Sequence, residues 1–284
     1  MAHDSFSRLA DAARRDGSIA EAALAEEQLV SGETREALRV RMAERLAVMR
    51  EAVSRGLSGD VRSRSGVIAG DAARLCRSGT CAVGGVFARA LAAALAVAEV
   101  NASMGRVVAA PTGGASGVVP GVIITLADEH GVSQDAVVDA LFTASAVGAV
   151  LAAKTNLSGA AAGCQAEIGA AVAMAAAGGC EMLGGTPDQV EAAASIALQG
   201  LLGLVCDPAG GLVEVPCVMR NATATGVALS GIELALAGVV FPIPLDDVAA
   251  ALASIGRALP ASLRETAQGG LAITPAAREL YPPD

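Results

Sequence analysis

Thr186-Pro-Asp-Gln-Val-Glu-Ala-Ala-Ala-Ser-Ile-Ala-Leu-Gln199 reads as a helix whose start is marked three ways. Thr186 is an N-cap, Pro187 fits the first helical position, and Gln189 is a capping-box partner. The run behind it shows none of the two-residue alternation of a half-buried strand. The same signals recur along the chain. Ser18-Ile-Ala-Glu21 is another capping box, and Ser133 before Gln134 and Asp135 marks another start. Leu38, Met42, Leu46, Met49 and Val53 keep the helical period, with Arg and Glu between them. Ala-rich segments near residues 82–103, 136–153, 165–177, 188–204, 221–239 and 247–258 are separated by Gly and Pro. The expectation is an all-α fold. A polar helical arm covers residues 1–65, and a helical domain with apolar Ala/Gly-rich central helices covers 66–284. A Gly/Ser/Arg-rich break runs from Gly56 to Gly70.

The 284 residues are 53% hydrophobic and 17% charged, enough apolar material for a sizeable core and too little charge for disorder. Aromatics are 2%, with no Trp and one Tyr, so Ala, Val, Leu and Gly must fill the volume and the helices should approach closely. The net charge of −9 disfavours nucleic acid or an anionic membrane as partner. After Gly105 the only cations are Arg106, Lys154, Arg220, Arg257, Arg264 and Arg278. The uncharged run Val107–Ala127 is long enough to suggest a membrane span. Its Pro111, Pro120, Gly-Gly pair and hydroxyls read instead as a turn-rich loop feeding a helix. Met1–Asp16 is polar and charged, unlike a secretory signal. The six cysteines are therefore expected as reduced thiols in the cytoplasm. No C-x-x-C pair occurs and the histidines are His3 and His130, so ordinary zinc patterns are absent.

Three glycine-rich loops stand out. In Ala110-Pro-Thr-Gly-Gly-Ala-Ser-Gly117, the N–H groups near Gly113 and Gly114 and the hydroxyls of Thr112 and Ser116 suit a small anion, or simply a structural turn. In Ser158-Gly-Ala-Ala-Ala-Gly-Cys-Gln-Ala-Glu-Ile-Gly169, Cys164 at a helix start suits a nucleophile or metal ligand, or a small buried core residue. In Cys206-Asp-Pro-Ala-Gly-Gly-Leu-Val-Glu-Val-Pro-Cys217, two cysteines bracket one loop, followed by Arg220 and Asn221. With Cys164 they make three thiolates. An iron–sulfur cube takes four ligands, so three would leave one iron open as a Lewis acid.

Together these stretches resemble the α chain of iron–sulfur-dependent L-serine dehydratase (L-serine ammonia-lyase). The resemblance extends over Ser65-Gly-Val-Ile-Ala-Gly-Asp71, Glu99-Val-Asn-Ala-Ser-Met-Gly105, Gly163-Cys-Gln-Ala-Glu167, Arg220-Asn221-Ala222 and Leu263-Arg-Glu-Thr-Ala-Gln-Gly-Gly-Leu271. It implies a 4Fe-4S cluster held by Cys164, Cys206 and Cys217, and conversion of L-serine to pyruvate and ammonia. It also implies a separate β chain, hence an oligomer. Asp71 and Glu167, inside family motifs, are expected to orient ligand loops. Thr112, Gly113, Gly114, Ser116, Arg220 and Asn221 are candidates for substrate binding, with the Arg220 fork facing either the substrate carboxylate or Asp207 or Glu214. Some single-chain relatives end in a cysteine that reaches the cluster; Tyr281-Pro-Pro-Asp284 has none. Cys76, Cys81 and Cys180 match no ligand position.

The proton-abstracting base is expected to be a histidine of the β chain in preference to Lys154, the chain's only lysine, just before the Cys164 loop; a carboxylate such as Glu167 is a further option, although its motif position suits support of the cluster loop. Lys154 also defines a rival reading, a pyridoxal phosphate lyase with a Schiff-base lysine, although no parallel-sheet pattern or phosphate loop accompanies it. A related iron–sulfur lyase acting on threonine or cysteine is a second rival, and a non-catalytic scaffold subunit is a third.

Overall fold

A computed structural model describes residues 4–79 and 82–282. His3 and Cys81 lie outside the described residues. Among the described residues there are thirteen α-helices and no strands, only isolated bridges. The expected all-α class is therefore what the chain adopts.

The arm consists of α1 (Phe6–Asp16), α2 (Ile19–Ser31) and α3 (Arg35–Ser58). Next come α4 (Asp71–Ser78) and α5 (Gly85–Ala102), then a single 3-10 turn at Gly113–Ala115 leading into α6 (Val118–His130). They are followed by α7 (Gln134–Lys154), the four-residue α8 (Gly159–Ala162), a π-turn at Gln165–Gly169 and α9 (Ala170–Met182). The chain closes with α10 (Pro187–Gln199), α11 (Cys217–Leu236), α12 (Leu245–Ala258) and α13 (Pro275–Leu280).

Helix α10 carries the complete capping box expected of it. Gln189 N donates to Thr186 Oγ1 at 3.3 Å, and Thr186 N donates to Gln189 Oε1 at 2.9 Å. At α2 only half the expected box forms. Ser18 caps Glu21 N, but the Glu21 carboxylate turns to Arg35 on α3, because a guanidinium offers it a stronger partner than a backbone N–H. The break after the arm also starts later than the composition suggests, since α3 continues through Gly56 to Ser58. Gly56 stays helical because it lies against the backbone of Ala96, where a side chain would collide.

The helix α9 is the hub. Every residue from Ala170 to Cys180 is buried, with α6, α7, α10 and α11 packed around it. With almost no aromatics, tight helix crossings replace bulk: a Cβ on Gly178 would come within 2.5 Å of the Ala140 carbonyl oxygen of α7. Two helices, α5 and α7, are long and apolar enough to cross a membrane, and both are packed largely inside the bundle.

The arm is fastened to the hub by a carboxylate. Glu181, at the end of α9, accepts N–H bonds from Ile19 (2.5 Å) and Ala20 (3.3 Å) at the start of α2, and a hydroxyl bond from Thr143 on α7. Phe6, Leu9, Ile19, Leu24, Leu38, Leu46 and Met49 of the arm share one continuous core with α6, α7 and α9. The boundary at residue 65 falls in the loop between α3 and α4.

At one end of the bundle four irregular stretches meet: the turn before α6, the α8–π-turn segment, the loop between α10 and α11, and the segment between α12 and α13. The sequence motifs lie there.

Candidate active site

Cys164 comes from the α8–π-turn segment and Cys206 and Cys217 from the two ends of the α10–α11 loop, and the three stand close enough that one thiol's charge acts on another's. Cys164 opens the π-turn, just after Gly163, whose φ of +80° lets the chain reverse out of α8. Such π-turns recur at functional sites. Cys206 is clasped by the segment before α13: its N–H donates to the Leu263 carbonyl at 2.9 Å, and its carbonyl accepts from Glu265 N at 2.7 Å. Cys217 is the first residue of α11.

Cys164 and Cys206 are 4% exposed, and Cys217 is half-buried. Burial pushes the Cys164 thiol up to about 11, against the pull of Arg220. Burial, reinforced by Cys164, pushes Cys217 up to about 12, and burial likewise raises Cys206. The thiols are thus neutral in the protein alone. A bound cation would displace their protons, as metals do to coordinating thiols.

Several groups serve this cluster of thiols. The guanidinium of Arg220 pairs with Asp207 at 2.8 Å, donates to the Val205 carbonyl at 2.9 Å and hydrogen-bonds Cys164. Of the partners expected for it, the structure shows Asp207. Asn221 commits its whole amide to backbone: Oδ1 accepts from Gly117 N (2.9 Å), and Nδ2 donates to the carbonyls of Gly114 (2.7 Å) and Cys217 (2.9 Å). It therefore ties the Thr112–Ser116 loop to Cys217 and does not present free donors to a substrate. Glu167 on the π-turn is raised by burial, opposed by the Thr112 hydroxyl and Gly159 N–H. A Cβ on Gly159 would fall 2.5 Å from Glu167 Oε2 and 2.9 Å from Cys206 Sγ, so only glycine lets the backbone pass between carboxylate and thiol.

In the first loop, buried Thr112 Oγ1 faces the Glu167 carboxylate, whereas buried Ser116 Oγ has no hydrogen-bond partner among the described residues. Gly113 and Gly114 sit between them, and Gly114 lies beside Glu167 and Val213. Unsatisfied buried hydroxyls in a folded protein call for a ligand or water.

Two expected residues are engaged with other partners. Lys154 ends α7 and pairs with Asp246 of α12 at 3.7 Å. That carboxylate also caps the start of α1 through Phe6 N (3.1 Å) and Ser7 N (3.3 Å), so the lysine faces the arm junction. Asp71 pairs its carboxylate with Arg74 at 2.5 Å on the surface of α4. Its backbone N–H, with that of Ala72, donates to buried Glu99 at 2.6 and 3.2 Å. Of the remaining cysteines described, Cys76 is exposed and Cys180 is buried within α9. His130 is the exposed last residue of α6.

Sequence reasoning missed two residues. Gln165 donates to the carbonyls of Ala162 (2.9 Å) and Leu252 (3.2 Å) and accepts from Gly203 N (2.9 Å), pinning the Cys164 turn to the approach to Cys206. Its signals were a lone amide in an apolar run and a place inside the Gly163–Glu167 motif, neither of which says what it bonds. Glu265 sits at φ +63°, a left-handed conformation that costs a non-glycine residue about 1 kcal/mol or more, and its charge acts on Cys206, Cys217 and Glu167. Strain of this kind concentrates at functional sites.

Among the described residues, no three His, Cys, Asp or Glu side chains stand close enough to share one metal ion. A cube asks for something else: each thiolate holds a different iron, so the sulfurs surround the cluster instead of touching one centre. Three soft, buried, mutually facing donors on loops with a bare glycine at their edge fit that requirement.

The serine dehydratase alpha chain family profile matches residues 14–272. The chain is 46% identical over 265 residues to the probable L-serine dehydratase, alpha chain, of Bacillus subtilis (strain 168), covering 92% of this chain and 88% of that protein. It is 40% identical over 252 residues to the L-serine dehydratase, alpha chain, of Peptoniphilus asaccharolyticus, covering 88% and 86%. It is also 46% identical over 184 residues to L-serine dehydratase 1 of Escherichia coli (strain K12), covering 63% of this chain and 40% of that protein. With its three thiols gathered at one end of an all-helical bundle, the chain belongs to the serine dehydratase alpha chain family.

Proposed function

We propose that this chain is the α subunit of an L-serine dehydratase that converts L-serine to pyruvate and ammonia, using a 4Fe-4S cluster held by Cys164, Cys206 and Cys217. The observation that carries the reading is the convergence of these three thiols beside Arg220, Glu167 and the buried hydroxyls of the Thr112–Ser116 loop. When bound, the cluster supplies a Lewis-acidic iron that makes the serine hydroxyl a better leaving group.

The chain's own residues do the rest. Thr112 and Ser116, with Gly113 and Gly114 between them, take the serine carboxylate, which gives the buried Ser116 hydroxyl a partner. Arg220 offsets the charge gathered around Cys164, and Asn221 holds the carboxylate loop in register with Cys217. Glu167 stands between Thr112 and Gly159 and orders both loops.

The α-proton needs a base within hydrogen-bond reach. His130 is a whole α6 length away from the Gly117 end of that helix, about 20 Å at helical rise. Lys154 is held by Asp246. Glu167 at the site is engaged by Thr112 and Gly159, so we assign the base to the β chain, most simply as a histidine, which titrates near neutral pH. Serine is preferred here over threonine or cysteine because both matched alpha chains carry that substrate in their names. The free thiols suit a reducing compartment such as the cytoplasm.

The test is anaerobic reconstitution with iron and sulfide, followed by a serine-to-pyruvate assay with and without the β chain. The expected result is pyruvate formation that requires both iron and the β chain. Pyruvate formation by an iron-free preparation that depends on pyridoxal phosphate would overturn the reading.

A further inference from the structure

The loop that carries Cys206 and Cys217 is closed on its inner side by its own Ala209 N–Val215 O bond of 2.8 Å. Its outer side is held by residues from far along the chain. Leu271 N donates to Asp207 Oδ2 at 2.7 Å. Tyr281, just after α13, lies directly on Gly210: a Cβ there would come within 2.7 Å of the Tyr281 Cβ and Cγ. Gly210 has φ +62°, so both its conformation and the ring's seat require glycine. The Tyr281 hydroxyl then donates to Glu214 Oε2 at 3.2 Å. Glu214, only 2% exposed, also accepts from Ser63 Oγ (2.9 Å), Ser65 N (3.1 Å) and Ser65 Oγ.

We propose that Tyr281 is a positioning residue that latches the Cys206–Cys217 loop, its ring filling the Gly210 seat and its hydroxyl completing the donor set of Glu214. The latch holds two of the three thiols at the spacing a cluster needs; this last clause rests on the function proposed above. The geometry itself does not. A phenol bonded to a carboxylate is stronger than a neutral pair, and a ring seated on bare backbone excludes water from it. Opening the loop must break both.

The chain contains one tyrosine and no tryptophan, so its tyrosine emission reports on the latch alone. The experiment uses the full chain, iron-free and reconstituted. In the unaltered iron-free chain, acrylamide should quench Tyr281 poorly, and in Gly210→Ala, where the methyl expels the ring, quenching should approach that of a free tyrosine. Hydrogen exchange at Ala209, Gly211 and Leu212 should speed up roughly tenfold in Tyr281→Ala and less in Tyr281→Phe, as expected for losing one charge-assisted bond. The midpoint of global unfolding should stay in place, because the latch contacts Gly210 and Glu214 of the loop, outside the helical core. In the reconstituted chain, iron release to a chelator should accelerate in the same order of variants.

Unchanged exchange at these amides in Tyr281→Ala, or full quenching in the unaltered chain, would overturn the latch. So would exchange that rises everywhere together with a lowered midpoint, which marks a general structural role. If the unaltered chain binds no iron at all, the proposed function fails while the iron-free exchange still decides the latch.

Discussion

Cys164 and Cys180 occupy opposite ends of one helical run, the π-turn that leads into α9 and the last turns of α9 itself. Both are buried, and burial raises both thiols, to about 11 and about 12. Their neighbours differ. Cys180 meets Gly185 and the charge of Glu181. Cys164 meets two further thiols from the ends of the loop that joins α10 to α11, an arginine of α11 and a glutamate of its own π-turn. Burial alone suits an inert cysteine, and convergence is what supports the ligand role proposed for Cys164. The sharpest way to break this contrast is a matched pair of substitutions. Cys164→Ala should abolish pyruvate formation by the reconstituted enzyme, whereas Cys180→Ala should keep most of it and lower stability by about 1 kcal/mol, the scale of one lost buried group. Similar losses of activity in both variants would erase the distinction.

The next effect concerns what keeps the loop end assembled. Arg220 and Asp207 form a pair whose side chains are 15% and 4% exposed. Arg220→Ala leaves Asp207 buried without its cation and should destabilise the chain by about 3–5 kcal/mol, as breaking buried pairs does. An equal truncation at Arg74, whose pair with Asp71 is exposed at the arginine, should cost less than about 1 kcal/mol. Denaturant melts of the two variants measure the difference, and equal midpoints would contradict it.

Two glutamates extend the comparison to pH. Glu181 fastens the arm to α9, and Glu214 fastens the cysteine loop. Burial dominates at Glu181 and raises its pKa despite Thr143 and two N–H donors. At Glu214 burial also acts upward, but Ser65, Ser63 and Tyr281 outweigh it and hold the carboxyl below its ordinary value. The linkage signs are therefore opposite. The raised Glu181 contributes stability at low pH that is lost as pH rises through its folded pKa. The lowered Glu214 contributes stability above the ordinary carboxylate value of about 4.3 that is lost as pH falls towards its folded pKa. Relative to Glu214→Gln, the unaltered chain should lose its advantage on acidification below about pH 4; relative to Glu181→Gln, it should gain on acidification through the range above it. Thermal midpoints across pH 3–7 show whether the two trends diverge; parallel trends would refute the assignment.

The smallest effect is expected at Lys154. Its pair with Asp246 is partly exposed and worth at most about 1 kcal/mol. Lys154→Arg should leave kcat within about twofold, since the lysine pairs with Asp246 and the proposed base lies on the β chain. A loss of kcat by orders of magnitude, with deuterium exchange at the serine α-carbon stopped, would return the lysine to the chemistry.

The helices were largely legible because their signals are local. Thr186, Ser133 and Ser18 cap α10, α7 and α2, and Leu38, Leu46 and Met49 turn inward from α3. The half-formed box at Ser18 shows where local reading stops, since Arg35 of the next helix captured Glu21. At the site, the three cysteines could be named from their loops and from the family pattern. What could not be read were the contacts that hold those loops. Gln165, Glu265, Glu181 and Tyr281 act on residues distant in the chain, and no periodicity or spacing marks such partners. Asn221 and Arg220 were correctly placed next to the loops, but their donors already serve the backbone and Asp207. Lys154 illustrates the converse: closeness to Cys164 in sequence did not bring the side chain to the thiols, because α7 ends there and presents it to α12.

The central claim is that Cys164, Cys206 and Cys217 jointly hold an iron–sulfur cluster, and iron and sulfide content after anaerobic reconstitution tests it most directly. The unaltered chain should retain about four irons with a broad brown absorption that bleaches in air, the content of one cube. Cys206→Ser should lose most of both, and Cys76→Ser should lose neither. Full iron content in Cys206→Ser would contradict the claim.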